Sequence, residues 1–133
     1  MQKIEHIGIA VRDIEKSIPL YEVILNTSCY KKEVVESEGV ITAFFRSGPN
    51  KIELLQSTRE DSPIAKFIEK RGEGMHHIAF AVVDIQEEMS RLVKEGYRLL
   101  HEKPKEGADN KLICFLHPKE ANGVLIELCQ ERG

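Results

Sequence analysis

Two histidines and two glutamates stand at matching places in a sequence that repeats itself. Residues 6–14 read HIGIAVRDI and residues 77–85 read HIAFAVVDI, identical at six of nine positions, where average composition would match about one position in fifteen. The order continues downstream with IELLQ at 52–56 and IELCQ at 126–130, and the offset changes only from 71 to 74, which a three-residue loop insertion absorbs. His6 and Glu53 in one half therefore answer to His77 and Glu127 in the other. Two neutral imidazoles and two carboxylates make a donor set suited to a divalent metal ion, Co, Zn, Ni or Mn, and unsuited to Cu(I) or an iron-sulfur cluster. Two carboxylates buried together without a cation would repel and would each lose their hydration. Ligands carried on strands would also leave one or two positions to water, the arrangement a catalytic metal needs.

The elements that must position these groups follow from periodicity. Residues 4–11 alternate, with Ile7, Ile9 and Val11 on one face and Ile4, His6, Gly8 and Ala10 on the other; residues 77–82 repeat this, with Ile78, Phe80 and Val82 opposed to His77, Ala79 and Ala81. The bulky face belongs against a helix, and the histidine face carries small neighbours that leave space above it. Asp13 and Asp84 are N-caps for helices whose apolar stripes are Ile14, Ile18, Tyr21 and Leu25, and Ile85, Met89 and Leu92. Pro19 falls inside the first helix, where it removes a backbone donor and costs about 3 kcal/mol or forces a kink. Further strands are predicted at 29–36, 40–46 and 51–56, and at 97–102, 112–117 and 123–129. By alternation Glu53 shares a face with Lys51 and Leu55, and Glu127 with Leu125 and Cys129.

The expected class is α+β, with two pseudo-symmetric βαβββ modules whose curved sheets form a metal-binding groove. The first module is 1–58, a linking helix and loop occupy 59–74, and the second module is 75–133, all within one domain of 1–133. Ser62 as N-cap, Pro63 at the first helical position, the stripe Ile64, Phe67 and Ile68, and Gly72 beyond the end specify the linking helix.

Composition bounds the rest. The chain has 133 residues, 41% apolar and 31% charged, with 19 Lys and Arg against 22 Asp and Glu for a net charge of −3. Scattered basic residues argue against nucleic acid as a partner, and no apolar run approaches the roughly 18 residues of a membrane span. The start MQKIEHIGIAV lacks the pattern of a secretion signal, so a cytoplasmic location is expected. Cys29, Cys114 and Cys129 form no CxxC, and the last two lie in apolar strands where a buried, inert thiol is expected. His76 faces away from His77 and reads as a packing or surface histidine. Lys66, Lys70 and Arg71 interleave with Glu69 and Glu73 as a mixed solvent face.

The paired βαβββ pattern with His on the first strand and Glu on the last resembles the vicinal oxygen chelate superfamily, which includes glyoxalase I, extradiol dioxygenases and antibiotic-resistance proteins. HIGIAV (6–11), KIELLQ (51–56), DSPIAKFIEKRGEGMHHIAFAV (61–82) and FLHPKEANGVLIEL (115–128) resemble, within it, the methylmalonyl-CoA epimerase family over nearly the whole chain. That resemblance implies His6, Glu53, His77 and Glu127 as metal ligands, Gln being the residue at the Glu53 position in several members. It implies epimerisation at C2 of an acyl-CoA thioester through a metal-stabilised enolate, with Glu127 as one acid/base group and Glu53 or Glu102 as candidates for the opposite face. Bacterial members with a glutamate three residues after the glycine of an EQGV-like motif use it as a candidate base. Here the place after Gly39 is Thr42, which cannot abstract the proton. His117, Pro118 and Lys119 are characteristic of the family, and Lys119 could meet a CoA phosphate or the substrate carboxylate or simply face solvent.

Two other functions use the same fold. A glyoxalase I type isomerase shares the ligand plan, and the epimerase-like segment 61–82 favours the CoA substrate over it; a non-catalytic small-molecule-binding protein would not need four ligand positions. Open strand edges suggest pairing between chains, and a homodimer is expected.

Overall fold

A computed structural model describes residues 1–132. The chain divides into two compact units, one of His6–His76 and one that runs from His77 onward and takes in Met1–Glu5.

The first unit holds strand β1 (Lys3–Ala10) from His6 on, helix α1 (Ile14–Leu25), strands β2 (Lys31–Val35), β3 (Val40–Ser47) and β4 (Asn50–Ser57), and helix α2 (Pro63–Arg71). Its strands lie in the order β2-β3-β4-β1, with β1 parallel to β4 and the other pairs antiparallel. Period-two alternation sends Ala43, Phe45 and Leu54 to one face, where Val11 and Ile14 join them under the α1 stripe of Ile18, Tyr21 and Leu25. Full burial of a side chain as large as Phe45 is worth about 1.5–3 kcal/mol, so this stripe fixes the helix on the sheet. The opposite face carries Ala10, Val40 and Leu55, and α2 covers that end of it through Ile64, Phe67 and Ile68. Ser62 Oγ accepts from Ala65 N at 3.1 Å, as its N-cap role requires.

The second unit repeats the plan with β5 (Gly74–Ala81) from His77 on, α3 (Ile85–Lys94), β6 (Lys105–Glu106), β7 (Lys111–Leu116) and β8 (Ile126–Glu131). The order is β5-β8-β7-β6, β5 parallel to β8 and the rest antiparallel. Val82, Ile85, Met89, Cys114 and Leu128 form the core under α3, while Ala79, Ile113 and Cys129 with Phe115 occupy the other face. Gln2 N, from the segment that joins this unit, donates to Ala81 O at 2.8 Å.

Both long helices begin in the same way, and one contact is new relative to the sequence reading. Asp13 Oδ1 accepts from Glu15 N and Lys16 N, and Asp84 Oδ1 from Glu87 N. In addition Gln56 Oε1 accepts from Ile14 N at 2.7 Å and Gln130 Oε1 from Ile85 N at 2.8 Å. The last residue of each Ile-Glu-Leu-x-Gln motif thus fastens to the first turn of its own unit's helix and satisfies a donor that the helix cannot.

One expectation is corrected. The strand expected at 97–102 is a loop with one isolated bridge, Leu99 to Leu116, and the pairing beside β7 comes from the two residues of β6 instead. Gly96 at φ 95° ends the helix turn, Pro104 has no N–H to give a ladder, and Asp109 and Asn110 turn the chain at φ 58° and 57°. Gly107 permits the return: a Cβ there would lie 2.9 Å from the Ile113 side chain. Helix α1 runs from Ile14 to Leu25 with Pro19 inside it, as the sequence required. Pro19 sits on the exposed side, where the carbonyl it leaves without a helical donor can turn to solvent.

Cys114 and Cys129 are buried, whereas Cys29 is half-buried. Desolvation pushes the Cys114 thiol up to about 11, against weaker opposing effects of a His101 backbone hydrogen bond and the Lys105 charge. Iodoacetamide at pH 8 should therefore modify Cys29 in the native protein and leave Cys114 untouched until denaturant is added, read by peptide mass spectrometry; rapid native labelling of Cys114 would contradict the burial described.

Candidate functional site

In the first unit His6 and Glu53 come together on adjacent parallel strands. Gly8 is the register partner of Glu53, so no side chain stands directly opposite it on β1. On the other side Phe44 is its partner and supplies an apolar wall. His6 is 4% exposed and Glu53 5%, and His6 Nδ1 lies 3.2 Å from Glu53 Oε2. The second unit has the corresponding pair. His77 Nε2 lies 3.3 Å from Glu127 Oε1, both residues 5% exposed. Ala79 takes the place of Gly8 and Phe115 that of Phe44. The Phe115 ring meets the His77 imidazole edge-on, with centroids 5.8 Å apart and planes at 89°.

These separations fit metal ligation. Metal bonds of about 2.1 Å meeting at tetrahedral or octahedral angles put neighbouring donor atoms about 3.0–3.4 Å apart, the spacing found within each pair. In a metal-free pair an imidazole N–H facing the carboxylate is a hydrogen-bond donor that holds ring and carboxylate in line. Burial to about one-twentieth of full exposure leaves the carboxylates little water, so a cation is the partner that most reduces their desolvation cost.

The remaining residues singled out in the sequence take other places. Glu102 is exposed in the loop after α3 and lines a cavity with Met89, Val93, Tyr97, Arg98 and His117. That cavity lies against α3, whereas Glu127 alternates to the sheet face turned away from that helix. His76 packs edge-on against Phe67 at 5.0 Å, and burial pushes its imidazole down to about 4 although Glu38 acts in the opposite direction. It is a packing histidine, neutral at physiological pH. His117 caps a short 3-10 turn, its Nδ1 accepting from Lys119 N at 3.2 Å, and Lys119 is exposed. Lys66, Lys70 and Arg71 are exposed on α2 beside Glu69 and Glu73. Thr42 is fully buried on the same sheet face as Glu53.

Sequence reading passed over Phe44 and Phe115, the aromatic neighbours of the two carboxylates. Their offset of 71 matches that of the histidines, so the repeat held the signal. It also passed over Lys111, 7% exposed, whose Nζ lies 3.6 Å from Glu131 Oε1 and 4.0 Å from Glu5 Oε2. Nothing in local periodicity marks a buried lysine at the start of a strand.

Residues 5–115 match the family model of the Glyoxalase/Bleomycin resistance protein/Dioxygenase superfamily. The chain is 40% identical over 130 residues to the ethylmalonyl-CoA/methylmalonyl-CoA epimerase of Cereibacter sphaeroides, covering 96% of this chain and 97% of that protein. It is 40% identical over 129 residues to the mitochondrial methylmalonyl-CoA epimerase of Homo sapiens, covering 96% of this chain and 73% of the human one. Among solved structures it is similar to a Streptomyces coelicolor methylmalonyl-CoA epimerase in complex with 2-nitronate-propionyl-CoA, with a TM-score of 0.95 and 35% identity over 100% of this chain and 99% of that one.

Proposed function

This chain belongs to the glyoxalase/bleomycin resistance protein/dioxygenase superfamily, and on that premise we propose that it is an isomerase that epimerises methylmalonyl-CoA at C2. The observation that carries the reading is the pair of buried His–Glu couples with donor atoms 3.2 and 3.3 Å apart. Relatives 40% identical over nearly the full chain carry that activity in their names. A wholly apolar binding pocket would have no use for two buried carboxylates.

His6, Glu53, His77 and Glu127 are the residues that would hold a divalent cation, whose chemistry when bound is that of a Lewis acid drawing negative charge from a carbonyl. The chain's own groups do the rest. Gly8 and Ala79 beside the carboxylates leave room for a substrate to approach them, and Phe44 and Phe115 keep water from their flanks. The Glu127 carboxylate takes the weakly acidic proton at C2 or returns it. His77 Nε2 and Glu127 Oε1, 3.3 Å apart, would be neighbouring donors to that cation. Glu53, with its His6 contact, acts chiefly as a ligand. A second copy of the chain is part of this reading, since β2 and β6 each end a strand order and offer an edge for pairing. Among the described residues no helix is long and apolar enough to cross a membrane.

The test is turnover of methylmalonyl-CoA in deuterated buffer, alongside methylglyoxal plus glutathione, each with Co, Ni, Mn and Zn added in turn. Deuterium wash-in at C2 with no reaction of the hemithioacetal supports the epimerase. Reaction of the hemithioacetal alone replaces it with a glyoxalase.

A further inference from the structure

Within the unit of His6–His76, helix α2 covers one end of the sheet face that carries Glu53, over Ala10, Val40 and Leu55. The other end of that face runs toward the β3–β4 turn and carries cations. Lys51 is the register partner of His6 on one side and of Arg46 on the other. Arg46, Lys51 and His6 therefore form one rung across β3, β4 and β1, and they look to the same side as Glu53, two residues on from Lys51. The rung lies between Glu53 and the exposed turn at Gly48 and Pro49. Like charges directly opposite each other destabilise a strand pair, and Arg46 and Lys51 are such a pair. The Arg46 guanidinium lies 4.4 Å over the Tyr30 ring, and among the described residues no carboxylate pairs with it. Tyr30 and Lys31 in turn pack on Phe44, the register partner of Glu53, at 6.0 Å between ring centroids and 5.0 Å from Nζ to the ring. The Lys31 charge already has Glu33 Oε1 at 3.3 Å. Stacking on Tyr30 holds the Arg46 guanidinium plane and leaves its edge, which carries the N–H donors, for an anion.

The geometry points to Arg46 and Lys51 as the site that grips a phosphate of the coenzyme A nucleotide while the thioester is held near the His6–Glu53 pair. This inference rests on the epimerase reading above. A guanidinium presents two parallel N–H groups to phosphate oxygens, and a lysine beside it adds a point charge. Neighbouring strands stand about 4.8 Å apart, so Arg46 on β3 is two such spacings from His6 on β1. The free carboxylate of the acyl group is bonded to C2 itself and would lie at the His6–Glu53 pair, short of Arg46. The phosphates are separated from the thioester by the whole pantetheine arm, which spans that gap together with the reach of the arginine side chain. The two like charges on the rung, unfavourable by themselves, then serve binding, because a phosphate between them removes their repulsion. The turn at Gly48 and Pro49 lies beyond them, so the rest of the nucleotide extends into solvent.

The experiment measures turnover of methylmalonyl-CoA, of its 3′-dephospho form and of the methylmalonyl thioester of pantetheine, and calorimetric binding of CoA itself. It uses the wild-type protein, Arg46→Gln, Arg46→Lys and Lys51→Gln, and records thermal melting of each. Arg46→Gln should raise KM for methylmalonyl-CoA by about 10–100-fold, the range of a lost charge-assisted hydrogen bond, with the loss falling on KM and not on kcat. It should weaken CoA binding by the same factor and leave KM for the pantetheine thioester as in wild type. Arg46→Lys should recover part of the loss, since the charge returns without the paired donors, and Lys51→Gln should show a smaller loss with the same selectivity. Sensitivity that disappears with the 3′-dephospho form assigns the contact to the 3′-phosphate, and sensitivity that persists assigns it to the diphosphate; both support the site. Should Arg46→Gln melt well below wild type, the same selectivity read in Arg46→Lys decides. Equal losses on the CoA and pantetheine thioesters, or no loss on either, overturn the phosphate site and leave the epimerase reading intact. A wild type that binds CoA in an Arg46-dependent way without epimerising methylmalonyl-CoA overturns the epimerase reading and keeps the phosphate site. A wild type that does neither overturns both.

Discussion

Glu127→Gln protein should lose epimerisation of methylmalonyl-CoA by about 10²–10⁴-fold, the range that removal of a general acid or base produces. Glutamine keeps the shape and one carbonyl oxygen of glutamate, so it can still face His77 Nε2 across the 3.3 Å contact and still offer an oxygen donor. It cannot take up a proton at C2. The loss should therefore fall on kcat, with metal content and far-ultraviolet circular dichroism held near wild type. The measurement is deuterium wash-in at C2 at saturating substrate. Wash-in at the wild-type rate with metal still bound would remove Glu127 from proton transfer and leave it a ligand.

His77→Ala should abolish the response of the protein to divalent metal. A ligand that binds only the folded state stabilises it by RT ln(1 + [L]/Kd), about 4 kcal/mol at a thousand-fold excess over Kd. For a chain of this size that raises the melting temperature by roughly 10 °C or more. Wild-type protein freed of metal should show that rise on titration with Co or Zn. His77→Ala should show little of it, because one nitrogen donor is gone and Glu127, 5% exposed, has lost its neighbour. Removing one partner of a buried polar pair leaves the other desolvated, so the variant should also melt below the metal-free wild type. A melting temperature that climbs equally in both proteins would mean that the metal binds elsewhere. Activity need not be measured for this comparison.

Most of the architecture could be read because the two periods, 2 for strands and 3.6 for helices, are strong in this chain and occur twice. Ile7, Ile9 and Val11 announce a strand face as plainly as Ile78, Phe80 and Val82 do, and the Asp caps mark where each helix begins. The repeat singled out His6, Glu53, His77 and Glu127 by symmetry, and the structure sets His6 beside Glu53 and His77 beside Glu127 on adjacent strands. The strand expected at 97–102, where Tyr97, Leu99 and Leu100 are apolar, is not formed. Pro104, Gly107 and the left-handed turn at Asp109 and Asn110 leave only Lys105–Glu106 to pair. Cross-strand register is a further thing that one-dimensional reading cannot supply. That Glu33 stands opposite Thr42 depends on the length and geometry of the turn between β2 and β3, around Gly39 at φ 64°.

The glutamine latches Gln56 and Gln130 bear on the thermodynamics of loading. Each sits three residues beyond a Glu and ties the end of that Glu's strand to its unit's helix. The backbone that carries each carboxylate is therefore immobilised when the polypeptide collapses, not when an ion arrives. The conformational entropy of ordering these carboxylates is charged to folding, so a cation held by them would have little left to organise and would express nearly all of its intrinsic affinity.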